Sequence, residues 1–161
     1  MCGIAGLLDA SGRYGDPAQH VKAMADSLVH RGPDSSGVWH DRDAGIAFGH
    51  RRLSIVDLSN AGHQPMASAN GRWTVTYNGE IYNANELRAE LEAGGAQFRG
   101  HSDTEVLVEA CAQWGVEATL PKLIGMFTFG LWDSETRSLF LARRSIRTSA
   151  RCWRPRKRST P

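Results

Sequence analysis

Met1-Cys2-Gly3-Ile4-Ala5-Gly6-Leu7-Leu8-Asp9 opens the chain. A thiol at position 2, followed at once by a short apolar run, predicts a buried strand over residues 3–9 directly behind Cys2. That placement has a chemical consequence. A methionine before a small residue is usually trimmed, and loss of Met1 leaves Cys2 with a free α-amine. Its reference pKa of about 7.7–8.0 lies far nearer neutrality than a lysine's. Such an amine can take the thiol's proton and later return it to a leaving group, so one residue supplies nucleophile and base. A plainer reading, in which Cys2 is an incidental small residue, stands beside this one.

Working outward, Asp16-Pro17 reads as a helix start, with Asp as cap and Pro at the first helical position. Val21, Met24, Ala25, Leu28 and Val29 follow as an apolar helical stripe. The helix should end before the loop Arg31-Gly32-Pro33-Asp34. Strands are expected near 37–40 and 45–55, then a long loop over 57–71, then a strand at Trp73–Tyr77 running into Asn78-Gly79. A short helix is expected at Glu86–Glu92. Ser102-Asp103-Thr104-Glu105 has capping-box spacing ahead of a second helix with Val106, Leu107, Ala110, Cys111 and Trp114 on its apolar face. Met126–Trp132 and Ser138–Leu141 look like a hairpin around Asp133–Arg137. The order argues a mixed domain of mainly antiparallel strands with helices on the sheet faces.

The 161 residues suit one domain, and 41% apolar content is that of an ordinary globular protein. No apolar run reaches the ~18 residues of a membrane span, and no signal peptide pattern opens the chain. The expectation is a cytoplasmic protein without a membrane partner. Three cysteines, Cys2, Cys111 and Cys152, are too few and too scattered for a disulfide framework or a zinc site.

Three further features bear on chemistry. Acyl transfer through a thiolate builds a negative oxygen that needs preorganised donors. Asn78 offers a side-chain N–H, and Gly79 lets its backbone N–H approach a ligand closely. Asn-Gly is equally the commonest hairpin turn pair, and both readings stay open. Arg51 and Arg52 interrupt an apolar strand pattern, so alternation sends one inward and the other out. An inward Arg suits a substrate carboxylate, and a solvated Arg pair is the plainer reading beside it. Asp103 opens a helix, where it complements the dipole and can serve a substrate ammonium.

Met1-Cys2-Gly3-Ile4-Ala5-Gly6, His30-Arg31-Gly32-Pro33-Asp34, Gly49-His50-Arg51-Arg52-Leu53-Ser54-Ile55-Val56-Asp57, Gly62-His63-Gln64-Pro65-Met66, Tyr77-Asn78-Gly79-Glu80-Ile81-Tyr82-Asn83 and Ser102-Asp103-Thr104-Glu105 occur in this order. Together they resemble the N-terminal glutaminase domain of glutamine-dependent asparagine synthetases, which are class II glutamine amidotransferases. The resemblance covers residues 1–143. It implies an α+β, N-terminal nucleophile (Ntn) fold, a four-layer αββα sandwich. It implies Cys2 as nucleophile and base, Asn78 and Gly79 as the oxyanion hole, and Arg52 as the carboxylate clamp. Glu80 and Asp103 would hold the substrate ammonium, and the backbone of Leu53, Ser54, Ile55 and Val56 would line the pocket. Arg31 and Asp34 are implied as ordering elements near the nucleophile. The implied reaction, hydrolysis of glutamine to glutamate and ammonia through a glutamyl thioester, needs no metal or organic cofactor. ATP and Mg would belong to a synthetase domain.

After Phe140-Leu141-Ala142-Arg143 the resemblance stops. Residues 1–142 carry a net charge of −6, whereas residues 143–161 carry eight Lys and Arg and no acid, a net of +8. This abrupt change reads as a basic, disordered tail over 144–161, produced by a frameshift, with the synthetase domain missing. The rival reading is a basic arm for nucleic acid. Two functional expectations follow. One is an active glutaminase, serving a separately encoded synthetase domain or assembling as a homo-oligomer. The other is a catalytically idle remnant that binds glutamine or a partner subunit.

Overall fold

A computed structural model describes residues 2–53, 62–145 and 151–153. In chain order these form β1 (Gly3–Leu8), α1 (Pro17–Ser27), a 3-10 turn (Val29–Arg31), β2 (Ser35–Asp41), β3 (Ile46–Arg52), β4 (Met66–Ala67), β5 (Trp73–Ile81), α2 (Ala84–Ala93), α3 (Asp103–Trp114), α4 (Val116–Thr119), a 3-10 turn (Leu120–Lys122), β6 (Gly125–Asp133), β7 (Ser138–Arg144) and β8 (Arg151–Trp153). Among the described residues the strands make two antiparallel sheets, ordered β1-β3-β2 and β4-β5-β6-β7-β8.

The sheets stack face to face between helices. Helix α1 lies on the smaller sheet, so closely that a Cβ on Gly49 would fall 2.7 Å from Val21 Cγ1. Ile46 and Phe48 of β3 cross to Trp132 and Leu139 of the larger sheet. On that sheet's far face Val75, Tyr77, Phe127, Phe129, Leu131 and Phe140 bury against Leu87 and Leu91 of α2 and Val106, Leu107 and Cys111 of α3. The layers therefore run α1, small sheet, large sheet, α2 with α3. This is the four-layer αββα sandwich expected from the motifs. No helix among the described residues is long and apolar enough to cross a membrane.

Local signals set the starts of α1 and α3. Asp16 accepts from Ala18 N at 3.1 Å, with Pro17 in the first turn. Ser102 accepts from Glu105 N at 3.3 Å. The reciprocal half of that capping box does not form. Glu105, 1% exposed, instead accepts from the backbone N–H groups of Arg99 and Gly100 at 2.8 and 2.9 Å, pinning the loop before α3.

Several boundaries differ from expectation. Helix α1 stops at Ser27, and the chain tightens into a 3-10 turn that brings Gly32 onto β3; Met24 and Val29 are exposed, so the buried stripe narrows to Val21 and Ala25. The long loop contains β4, which pairs with Thr74 and Val75. The strand 3–9 is only partly buried, since β1 is a sheet edge with Leu8 40% exposed. The tail 144–161 was expected to lack structure, but Arg151–Trp153 pairs with Leu141–Arg143, extending the larger sheet by one strand. One inherently β-prone residue, Trp153, sits in that segment.

Candidate active site

The residues singled out in the sequence come from the ends of three strands and one helix. Cys2 precedes β1, whose register pairs Gly3 with Arg51, so Cys2 lies beside the end of β3. There its half-buried sulfur accepts from the Leu53 backbone N–H at 3.5 Å and directs its own proton to Leu53 O at 3.9 Å.

The Arg31-Gly32-Pro33-Asp34 loop braces this corner. A Cβ on Gly32 would come within 2.5 Å of the Arg51 carbonyl, and Asp34 N–H donates to Arg52 O at 3.1 Å. Only glycine permits that approach. A Cβ on Gly3 would likewise meet Leu28 Cβ at 3.0 Å, so β1, the strand that follows Cys2, is seated directly on the end of α1.

Arg51 and Arg52 separate by strand alternation. Arg51 turns to α1, donating to Asp26 Oδ1 at 2.6 Å and to Ala25 O at 3.2 Å. His50, on the opposite side, donates from Nε2 to Tyr77 O of the β5 backbone at 3.2 Å; a carbonyl can only accept, so Nε2 carries the proton. Arg52 shares the His50 side. Ile4 pairs with His50, which puts Cys2, two residues earlier, on that side as well. Burial is the main cause that lowers the His50 pKa to about 4; the charges of His63 and Arg52 add to it, and the hydrogen bond to Tyr77 opposes it. His50 is therefore a neutral structural donor.

Asn78-Gly79 is not a turn. β5 runs through it to Ile81, with Asn78 paired to Thr128 and Gly79 to Phe127. The hairpin alternative is thereby corrected: pairing with β6, about 50 residues away, overrides the local turn preference. Thr76 donates to Gly49 O across the sandwich, so Asn78 and Glu80, in the same alternation, face the small sheet. β4 covers β5 only at Thr74 and Val75, leaving an open edge beyond. On that edge Tyr77 N–H donates to Gln64 Oε1 at 2.7 Å and Ile81 N–H to Asp103 Oδ2 at 3.0 Å. Alternation sends the Gly79 N–H to the same edge, between these two. Neither the Asn78 side-chain amide nor the Gly79 N–H has a side-chain partner among the described residues. Asn78 is half-buried, and Gly79 and Glu80 are exposed.

Asp103, the first residue of α3, is half-buried; its Oδ2 accepts from Tyr77 Oη at 2.6 Å as well as from Ile81 N. Burial chiefly, then the Asp103 charge, raises the Tyr77 pKa far above its usual value; Glu80 and Cys2 contribute further. The charges of Asp103, Glu80 and Cys2 thus all reach one phenol. Cys2, Arg52, Leu53, Asn78, Gly79, Glu80 and Asp103 gather around one end of the sandwich. Ser54, Ile55 and Val56 lie outside the described residues. Gln64, His50 and Tyr77 were quoted in the motifs without a role. Their signal was weak: a histidine in an apolar strand, and polar groups beside the Asn-Gly pair.

The family pattern of the glutamine amidotransferase domain matches residues 1–148. Asparagine synthetase [glutamine-hydrolyzing] 3 of Bacillus subtilis is 43% identical over 145 residues, covering 89% of this chain and 23% of the relative. A putative asparagine synthetase [glutamine-hydrolyzing] of Mycobacterium bovis is 44% identical over 156 residues, covering 89% and 24%. The chain spans about a quarter of the length of these relatives. Among solved structures, the glutamine phosphoribosylpyrophosphate amidotransferase of B. subtilis, complexed with ADP and GMP, superposes with a TM-score of 0.68 at 22% identity, over 88% of this chain and 36% of that one. That likeness bears on the fold alone: the two chains share the same sandwich architecture.

Proposed function

The chain belongs to the glutamine amidotransferase domain family, and on that premise we propose that it hydrolyses glutamine to glutamate and ammonia with Cys2 as nucleophile. The reading places it as the glutaminase part of a glutamine-hydrolysing asparagine synthetase. The observation that carries the reading is the Cys2 sulfur held at the Leu53 N–H, with the Gly79 N–H on the open edge of β5, whose Tyr77 lies within electrostatic reach of Cys2.

The mechanism needs Met1 removed. The α-amine of Cys2 takes the thiol proton, and the thiolate attacks the side-chain carboxamide carbon. Asn78 Nδ2 and Gly79 N–H hold the oxyanion as it forms, a contribution worth about 3–4 kcal/mol per donor in comparable sites. The ammonium of Cys2 returns its proton to the departing nitrogen, the C–N bond breaks, and ammonia leaves a glutamyl thioester. The amine then draws a proton from water, whose oxygen attacks the thioester. The C–S bond breaks, and glutamate and the thiol are restored. Arg52 pairs with the substrate α-carboxylate, while Asp103 and Glu80 hold its ammonium. Leu53 and the residues that follow it line the pocket by their backbone. Glutamine is the substrate and water the acceptor, and the thiol and amine supply the chemistry without metal or cofactor. In an asparagine synthetase the ammonia would be consumed by the ATP-dependent part.

Ammonia and glutamate release from glutamine by purified protein tests this, with the intact mass recorded on the same sample. Release by Met1-free protein that vanishes in Cys2→Ala is the expected result. Folded, Met1-free protein that binds glutamine without releasing ammonia would overturn it in favour of an idle glutamine-binding remnant.

A further inference from the structure

Tyr77 precedes the two proposed oxyanion donors, and each of its polar groups is engaged by a different element. Its N–H donates to Gln64 Oε1 at 2.7 Å, its carbonyl accepts from His50 Nε2 at 3.2 Å, and its hydroxyl donates to Asp103 Oδ2 at 2.6 Å. Gln64 Nε2 in turn donates to Thr104 Oγ1 at 3.1 Å, the residue after Asp103. Three routes therefore tie β5 to the first turn of α3: the phenol, Gln64, and the Ile81 N–H, which donates to Asp103 Oδ2 at 3.0 Å.

The phenol route has a specific effect. Asp103 Oδ2 takes both the Tyr77 hydroxyl and the Ile81 N–H, whereas Oδ1 has no partner among the described residues. A carboxylate with one oxygen fixed by two donors can rotate little, so its other oxygen is held in one direction. The ring is 3% exposed, and burial together with the neighbouring carboxylate keeps the hydroxyl protonated, hence always a donor to Asp103. A phenylalanine would fill the same space without fixing the carboxylate.

We infer that Tyr77 is a positioning residue for recognition of the substrate α-ammonium: its hydroxyl orients the Asp103 carboxylate, and so sets the preference for an amide substrate that carries an α-amine. This rests on the proposed glutaminase reading. A plain core tyrosine with a satisfied hydroxyl would affect every substrate alike; a positioning residue affects only those that use Asp103. Because the ammonium is gripped equally before and during reaction, its loss should appear in KM and not in kcat.

The test compares glutamine with 4-carbamoylbutanoate, its analogue lacking the α-amine, using Tyr77→Phe and Asp103→Asn in the full chain. For Tyr77→Phe the expected result is a roughly tenfold to hundredfold loss of kcat/KM on glutamine, the range for a hydrogen bond to a charged group, through KM. The analogue, measured on the same preparation, should lose less than about threefold, which also shows that the variant is folded. Asp103→Asn should show the same selectivity loss, and the double variant should add little to it. Equal losses on both substrates, or no loss on either, would overturn the positioning role while leaving the glutaminase reading intact. Wild-type protein that releases ammonia from neither substrate would overturn the glutaminase reading and this role together.

Discussion

Arg51 reaches across to Asp26 on α1, with Nη2 2.6 Å from Oδ1, while its neighbour Arg52 lies on the other side of the same strand, with Cys2 and His50. One dipeptide thus braces a helix and serves the candidate site.

Different variants should separate these roles. Arg51→Ala removes the Asp26 pair and the bond to Ala25 O, and should lower stability only modestly, since Asp26 is solvent-accessible, with KM for glutamine unchanged. Arg52→Lys keeps the charge but loses the planar fork, and should raise KM at least tenfold or so with little change in melting temperature. Denaturant melts and steady-state kinetics on both variants check this; a KM effect confined to Arg51 would reverse the assignment.

Gly32→Ala should be more damaging than its distance in sequence from Cys2 suggests. The new methyl would stand 2.5 Å from Arg51 C and O and 2.7 Å from Arg52 C, all backbone atoms that cannot rotate away. Overpacking of this kind costs typically about 1–3 kcal/mol, and the shift would pass into Leu53, which holds the sulfur. A lowered midpoint in urea together with reduced ammonia release is expected.

Asn78 and Gly79 should behave differently although both are proposed oxyanion donors. A Cβ on Gly79 would lie 2.5 Å from Phe127 Cα, so Gly79→Ala should unfold or displace the β5–β6 pair as well as stop turnover. Asn78→Ala removes only a half-buried side chain, and should lower kcat about a hundredfold to a thousandfold at near-wild-type stability. Circular-dichroism melts beside kinetics distinguish the two; wild-type turnover in Asn78→Ala would remove it from the oxyanion hole.

Stability should fall on mild acidification. His50 titrates near 6.5 when unfolded but near 4 when buried, so between these values the unfolded chain binds the proton that the folded chain refuses. The loss begins below pH 6.5 and is complete by about 4, amounting to roughly 2–4 kcal/mol. Asp133 acts in a lower window. Its burial opposes ionisation, but hydrogen bonds from Arg72 and Thr136 win and hold its pKa at about 2, so its contribution is present above 3.8 and disappears as pH approaches 2. Urea midpoints from pH 7 to 4 should slope downward for wild type and flatten in His50→Gln.

Much of the local architecture was legible. Asp16-Pro17 and Ser102 marked helix starts because a cap is a bond between residues two or three apart. The pairing of β6 with β7 was legible because the polar turn at Asp133–Arg137 joins neighbouring segments. The identity of the site residues came from six motifs in register, with Arg51 and Arg52 separable by alternation alone.

What the sequence by itself determined, then, was the inventory of elements, their caps and turns, and the set of residues from which a site could be made. These rest on sterics and hydrogen bonds within a few residues of chain. Only the tertiary structure decided that Asn78-Gly79 continues a strand, that Arg51 and not Arg52 faces α1, and that Tyr77 meets Asp103. Those outcomes depend on partners 25 or more residues away: Phe127 beside Gly79, Asp26 beside Arg51, Asp103 beside Tyr77. The same local signal at Asn-Gly serves a turn or a strand, and the burial gained when two sheets and their helices close on one another selects between them.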